Sequence, residues 1–145
     1  MAVEVRAITL DDVESIVTIL CAVSNNPDLA DAFRHDALEQ ARGEIANSIT
    51  SVIRCDGERV GRLRVVRIAD FIEIAGLQVH PNWQSRGIGS AVIKDLQGES
   101  ASTGVPLELD VAKTNPDAER LYVRLGFRRV GENGTDYRMR RQPDA

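Results

Sequence analysis

The chain is poor in the residues that build metal and disulfide sites. Of its 145 residues, two are cysteine and two histidine. Cys21 and Cys55 show no short metal-type spacing. Cys21 belongs to a helical pattern and Cys55 ends a strand-like one, so both read as buried thiols. A disulfide is disfavoured, and with only His35 and His80 beside them no metal site is expected. No stretch approaches the ~18 apolar residues of a membrane helix. The opening "MAVEVRAITLDDVES" lacks a cationic start and a long apolar run, so no signal peptide is read and a soluble, cytoplasmic protein is expected. A concentrated basic face is also missing, which speaks against a nucleic-acid partner; a membrane partner is not expected either.

What is present is enough apolar residue, 43%, to bury one sizeable core, and a length suited to one domain, residues 1–145. The net charge of −4 is uneven. Residues 1–56 hold ten Asp/Glu against four Arg, and residues 57–145 hold twelve against fourteen Lys/Arg. Two readings stand: scatter on a solvated surface, or an acidic half that receives a cation and a more basic half that receives an anion.

"VEVRAI" alternates like a half-buried strand. Thr9 with Asp12 three residues on resembles a helix start, followed by Val13, Ile16, Val17 and Leu20 at helical spacing. Asn26-Pro27 opens a second, weaker helical segment with Leu29, Phe33, Ala37 and Ala41 four apart. "ITSVIRC" and "ERVGRLRVVRI" join at Asp56-Gly57 as a β-hairpin. "FIEIAGLQV" is a further strand, stopped by Pro81. Ile88, Ala91, Val92 and Leu96 give a helix that Gly104 ends, or Gly98 sooner. "PLELDV" is a short buried strand, and Asn115-Pro116 starts a helix with Ala118, Leu121, Tyr122 and Leu125 on one face and Gly126 after its end. "FRRVGENGTDYRMRR" closes as two strands around Asn133-Gly134. The expected order is β-α-α-β-β-β-α-β-α-β-β.

The informative stretch is "LQVHPNWQSRGIGSAV", Leu77 to Val92, where a strand gives way to a helix through Gly87 and Gly89. A helix N-terminus carries unpaired N–H groups and about half a positive charge. Glycines there remove the Cβ atoms that would hold a ligand off, and Arg86 adds a cationic fork. The turn therefore reads as a phosphate site. A P-loop would need Gly-Lys-Ser/Thr, and Gly87-Ile88-Gly89-Ser90 lacks the lysine. A dinucleotide turn would want a third glycine where Val92 stands.

"QSRGIG" has the Q/R-x-x-G-x-G/A pattern, with Gln84, Gly87 and Gly89 in place, and so resembles the GCN5-related N-acetyltransferases (GNAT). The segment "NPDAERLYVRLGF" resembles that family's last helix, through Asn115, Ala118, Tyr122, Gly126 and Phe127. The resemblance spans nearly the whole chain and is closest from Phe71 to Phe127. It implies an α/β (α+β) single domain with a central mixed twisted sheet of about six or seven strands and about four helices. It also implies acetyl-CoA as co-substrate and acetyl transfer to a primary amine by direct attack. The pyrophosphate would lie on the main chain of Gln84, Ser85, Arg86, Gly87, Ile88, Gly89 and Ser90. The pantetheine arm would pair with Leu77, Gln78 and Val79, in a gap where the "FIEIAGLQV" and "PLELDV" strands splay. Asn115 would add a contact to the coenzyme.

Acetylating an amine needs a proton removed from the ammonium (a lysine-like amine has pKa ~10.4) and one supplied to the departing thiolate. Tyr122, a phenol protonated at pH 7, is the candidate donor. It shares a face with Leu121 and Leu125 and on periodicity alone reads as core; its offset from Asn115 matches the family's arrangement. Glu73 is the candidate base. With Phe71, Ala75, Leu77 and Val79 it forms a row on which it is the only charge, surroundings that disfavour the ionised form. The family's histone-acetylating members resemble the chain in placing a glutamate at that distance before the turn. The alternatives are a carboxylate paired with Arg64 or Arg67, and ordered water as base. His80 reads as a strand terminator with a proton relay as the lesser option, Trp83 as a shield or an ordinary turn ring, and Glu108 and Asp110 as partners for cations.

The acceptor, a small-molecule, peptide or protein amine, is shaped in this family by segments that here run from about Ile16 to Ala46 and Phe127 to Met139. Longer acyl donors, a homodimer through exposed strand edges, and a non-catalytic acyl-CoA sensor of the same fold all stay open.

Overall fold

The computed structural model describes residues 2–143. Its elements are β1 (Val3–Ala7), α1 (Val13–Ser24), α2 (Ala30–Ala41), β2 (Ser48–Cys55), β3 (Glu58–Arg67), β4 (Ile72–Val79), α3 (Ile88–Thr103), β5 (Leu107–Ala112), α4 (Pro116–Arg124), β6 (Arg128–Asn133) and β7 (Asp136–Arg141). This is the order expected from the sequence. The strands form a seven-stranded sheet ordered β1-β2-β3-β4-β5-β7-β6. β4 and β5 run parallel, while β1 with β2, β5 with β7, and β6 with β7 run antiparallel, so the sheet is mixed and the class α+β. Among the described residues no helix is long and apolar enough to cross a membrane, and Cys21 and Cys55 are free thiols.

Chain contacts define two compact units, Met1–Val65 with Gly76–Val92, and Val66–Ala75 with Ile93–Ala145. In the first, the apolar face of α1 supplies Val13, Ile16, Val17 and Leu20 to a buried cluster with Ile8, Ala37 and Val52. The helix enters through a one-turn 3-10 segment, Leu10–Asp12. There the Thr9 N–H donates to Asp12 Oδ2 at 2.8 Å. Asp12 has no solvent exposure. Its carboxylate is neutralised by Arg6, at 2.7 and 2.9 Å, and by Arg59 Nε at 2.9 Å. A carboxylate can be buried only when paired in this way. Asn26 caps the second helical segment by accepting the Asp28 N–H at 3.0 Å.

In the second unit, Ile72, Ile74, Ile93, Leu96, Leu107, Leu109, Val111, Phe127 and Met139 are buried. β4 and β5 pair from Ile72↔Leu107 to Ile74↔Leu109. The helix α4 begins where Asn115 Oδ1 accepts the Ala118 N–H at 3.2 Å.

Two sequence expectations shift. Gly98 lies inside α3, which runs on to Thr103 and ends at Gly104, where φ is +75° and the N–H bonds Ser100 O. A single glycine costs a helix about 1 kcal/mol, which buried residues on both sides of it outweigh. The last hairpin turns at Gly134-Thr135 rather than Asn133-Gly134, with Asn133 paired to Asp136. Glycine thus occupies the first central position, at φ +61°, the place a type II′ turn gives it.

The Asp12 carboxyl is held well below the usual carboxylate range, first by the hydrogen bonds from Arg6, against the opposing effect of burial. Its contribution is therefore complete above the unfolded value of about 4 and is lost as pH falls further. Asp12→Ala should cost about 2–3 kcal/mol at pH 7 by urea unfolding. The gap to the parent should narrow below pH 3. A gap under 0.5 kcal/mol at pH 7, on the order of a surface change, would contradict the account.

Candidate functional site

Pro81 removes a main-chain donor at the end of β4 and begins a one-turn 3-10 segment, Pro81–Trp83. His80 ends the strand: its N–H bonds Val60 O at 2.7 Å and its Nδ1 accepts the Asn82 N–H at 3.1 Å. That bond places the neutral ring's proton on Nε2 and gives His80 a capping task. Gln84 folds back, its amide Nε2 donating to Val79 O at 2.9 Å and its N–H to Pro81 O at 3.4 Å. The sequence reading counted Gln84 among the ligand's main-chain donors; its own N–H is already turned inward.

Beyond Gln84 the main chain changes character. Ser85 and Gly87 take φ of +63° and +82°, with Arg86 between them outside the positive region. Such alternation curves successive N–H groups into a concavity that suits anions. The first turn of α3 follows, its first internal bond running from the Ala91 N–H to Gly87 O at 3.0 Å. Among the described residues, the N–H groups of Ser85, Arg86, Gly87, Ile88, Gly89 and Ser90 have no hydrogen-bond partner. Ser85, Arg86 and Gly87 are exposed, while Ile88 is buried and anchors the helix start. A Cβ at Gly87 would meet nothing of the protein within 4 Å and would project into open space. Arg86 lies 4.7 Å from the Trp83 ring centroid and donates to Asn82 O at 3.2 Å, which holds its cation at this turn. Neither the stacked pair nor the left-handed Ser85 was legible in the sequence. Leu77, Gln78 and Val79 form the end of β4 that leads into the turn, each half-buried.

In the other unit, α4 closes on a glycine motif that also fixes Tyr122. The Gly126 N–H bonds Val123 O at 3.0 Å and the Phe127 N–H bonds Tyr122 O at 3.0 Å, the paired bonds of a Schellman end. Gly126 takes φ +97°. The apolar contact that accompanies such an end is made here by two rings, Tyr122 and Phe127, edge to face with centroids 5.9 Å apart. Burial raises the Tyr122 phenol above its ordinary pKa. Among the described residues its hydroxyl has no hydrogen-bond partner. Asn115 uses Oδ1 as the helix cap, which leaves its Nδ2 donors for other work.

The surroundings of Glu73 differ from the apolar row that the sequence suggests. The row Phe71, Glu73, Ala75 is apolar apart from Glu73, yet the neighbouring strands bring charge to it. Arg138 Nη1 reaches Glu73 Oε2 at 2.6 Å and Asp110 Oδ1 at 3.4 Å, and its Nε reaches Glu108 Oε1 at 3.0 Å. Arg140 Nε takes the other Glu108 oxygen at 2.9 Å. Three carboxylates thus meet two guanidinium groups, with Arg138 lying 5.4 Å from the Phe71 ring centroid. Glu73 is ion-paired, as one sequence alternative held, but by Arg138 of β7 rather than Arg64 or Arg67. Arg67 instead pairs with Glu99, at 2.6 Å. Register explains the miss: β7 lies beside β5 and sets Arg138 opposite Asp110 and Arg140 opposite Glu108, an arrangement invisible without strand order.

The chain matches the model of the acetyltransferase (GNAT) family over residues 13–127. A comparison with curated proteins gave no match. Among solved structures, the PaiA N-acetyltransferase from Thermoplasma acidophilum in complex with coenzyme A superposes with a TM-score of 0.80 at 16% identity, covering 98% of this chain and 99% of that one. The ribosomal-protein-S18-alanine N-acetyltransferase from Escherichia coli gives 0.76 at 18%, covering 99% and 96%. A spermidine N-acetyltransferase chimera of Vibrio cholerae SpeG and hSSAT gives 0.79 at 19%, covering 99% and 96%. At such identities the likeness is one of fold. The family match, spanning most of the chain and both of its motifs, carries the assignment: the chain belongs to the GNAT acetyltransferase family, and is an acyltransferase with acetyl-CoA as its co-substrate.

Proposed function

We propose that the chain acts as one N-acetyltransferase domain that moves an acetyl group to a primary amine by direct attack, without an acyl-enzyme. The observation that carries the reading is the run of unpartnered N–H groups from Ser85 to Ser90 at the start of α3. They match the demand of a diphosphate: several donors on a concave main chain, a helix dipole behind them and a cation beside them. Arg86, steadied by Trp83, supplies the cation. Leu77, Gln78 and Val79 offer main chain for the amide groups of the pantetheine arm, and Asn115 offers Nδ2.

When bound, acetyl-CoA supplies a thioester carbon open to attack and a thiol that can leave. The amine nitrogen forms the new C–N bond as the C–S bond breaks. Tyr122 donates its phenolic proton to the departing sulfur, then regains one from solvent. The raised phenol pKa keeps that proton in place across the working range. The ammonium must first lose a proton, and we assign that proton to water. Glu73 is tied by Arg138 and would have to break a 2.6 Å ion pair to accept it. Two of the neighbours named above are N-acetyltransferases of spermidine and of a ribosomal-protein-S18 alanine, so fold does not choose between a small and a macromolecular amine.

The function is tested by release of coenzyme A thiol with a panel of primary amines. Turnover supports the enzyme; tight coenzyme binding without turnover on any amine would make the chain an acyl-CoA sensor instead. Tyr122→Phe should lower kcat about 100-fold while coenzyme affinity stays within about twofold; equal turnover would remove the donor. With Tyr122 intact, the alkaline midpoint of kcat should lie above the ordinary phenol value of about 10, because burial raises the phenol pKa. Gly87→Val should weaken coenzyme binding at least tenfold by calorimetry, through a side chain in the open turn and a disfavoured backbone. Unchanged affinity would move the diphosphate elsewhere. Glu73→Gln should change kcat less than about threefold, whereas a 100-fold loss would restore Glu73 as the base.

A further inference from the structure

Outside this machinery, one charged group is largely withdrawn from solvent with most of its hydrogen-bonding capacity unspent. Arg62 points from β3 with a side chain only 11% exposed. A guanidinium carries five N–H donors and no acceptor. Here one hydrogen bond is made, from Nη1 to Gln78 Oε1 at 3.1 Å. The nearest carboxylate oxygen, Asp36 Oδ2 of α2, stands 3.7 Å from Nη2, outside hydrogen-bond reach. Gly76 makes room for the group: a Cβ there would come within 3.1 Å of Nη1. Two positions along the same strand face, Arg64 adds a second cation, whose one bond is from Nε to the Ser48 hydroxyl at 3.0 Å. Burial and the charge of Arg64 both depress the Arg62 pKa, and Asp36 only partly offsets them.

Two guanidinium groups with one carboxylate, ion-paired to Arg62 at 3.7 Å but not hydrogen-bonded, leave an excess positive charge beside a side chain largely withdrawn from solvent. A structural arginine of this burial is ordinarily matched by a bidentate carboxylate or by carbonyls. Among the described residues, Asp36 gives an ion pair without a hydrogen bond, and Gln78 contributes a single oxygen. What Arg62 lacks is a planar anion with two acceptor oxygens, the shape the fork recognises best. Gln78, moreover, belongs to the Leu77–Val79 stretch to which the coenzyme's arm is assigned, so an anion held at Arg62 lies on the same strand segment as the donor.

We propose that Arg62, assisted by Arg64, binds a carboxylate of the acceptor, so that the amine acetylated by this protein belongs to a molecule that also bears a carboxylate, an α-amino acid or a close relative. The acidic balance of residues 1–56 points towards a purely cationic acceptor only if its charges face the ligand. Two of those charges, Asp31 and Glu14, are already engaged by Arg34. The inference rests on the acetyltransferase reading for the amine, while the anion site stands on Arg62 alone.

The test compares α-amino acids with their carboxamides, which keep the amine and lose the anion. Thiol release by the parent protein should favour the acids at least tenfold in kcat/KM. Arg62→Gln should erase that preference, mainly through KM, with coenzyme affinity unchanged. Arg62→Lys, which keeps the charge and loses the fork, should fall between. Carboxamides used as well as acids, or a preference that survives in Arg62→Gln, would overturn the proposal. If no amine is turned over, the side-chain Nε–Hε resonance of Arg62, assigned by its loss in Arg62→Lys, decides the matter. Movement with the amino acids and not with their amides keeps the anion site while the enzyme reading falls. A resonance that moves with neither removes the site.

Discussion

Main-chain N–H groups that the fold leaves without partners set the terms for everything else in this protein. A helix cannot satisfy its own first donors, and α3 is entered through a turn that adds more instead of capping them. The left-handed Ser85 and Gly87 curve the chain, Gln84 is spent on bracing it against Val79, and Ile88 is buried to hold the helix start. The left-handed turn brings no stability of its own, while the Gln84 bond and the burial of Ile88 hold it in place. Together they keep a cluster of donors open to water, where an anion can replace the water at little cost in reorganisation.

Elsewhere in the protein, charge is managed in two different ways. Asp12 is sealed from solvent and fully matched by Arg6, Arg59 and Thr9, as a structural carboxylate must be. Arg138 is likewise shared among Glu73, Glu108 and Asp110, so a group that sequence presents as an isolated base is part of a lattice of ion pairs. Arg62 differs from both. It is largely withdrawn from solvent yet holds only a 3.7 Å ion pair with Asp36 and, among the described residues, one hydrogen bond to Gln78, and the contrast within one small protein is what makes its state informative.

Much of the architecture was open to reading from the sequence, because its signals are local. The Thr9–Asp12 start of the first helix, the Asn115-Pro116 cap, Gly126 past the end of α4 and the Asp56-Gly57 turn each depend on residues within a few positions. The same holds for the glycine turn and for the place of Tyr122. What escaped depends on partners distant in sequence. Arg138 finds Glu73 from sixty-five residues away, and periodicity along β4 cannot disclose it. Gly98 misled because helix propensity is a weak term beside the packing of α3. The turn at Gly134 slipped by one residue because Asn133-Gly134 and Gly134-Thr135 both satisfy hairpin chemistry, and strand pairing chooses between them.

The closure of α4 bears on how this enzyme could tolerate change. Between Tyr122 and Phe127 the chain both ends a helix and clasps two rings, and from outside the Leu125 carbonyl is held by Gln97 Nε2 at 2.9 Å and Arg141 Nε at 3.0 Å. The segment is thus pinned by α3 and β7 as well as by its own bonds. A change in the last strand that removed Arg141 would loosen the helix end on which the Tyr122 ring sits, so the hairpin cannot drift in sequence without that ring feeling it.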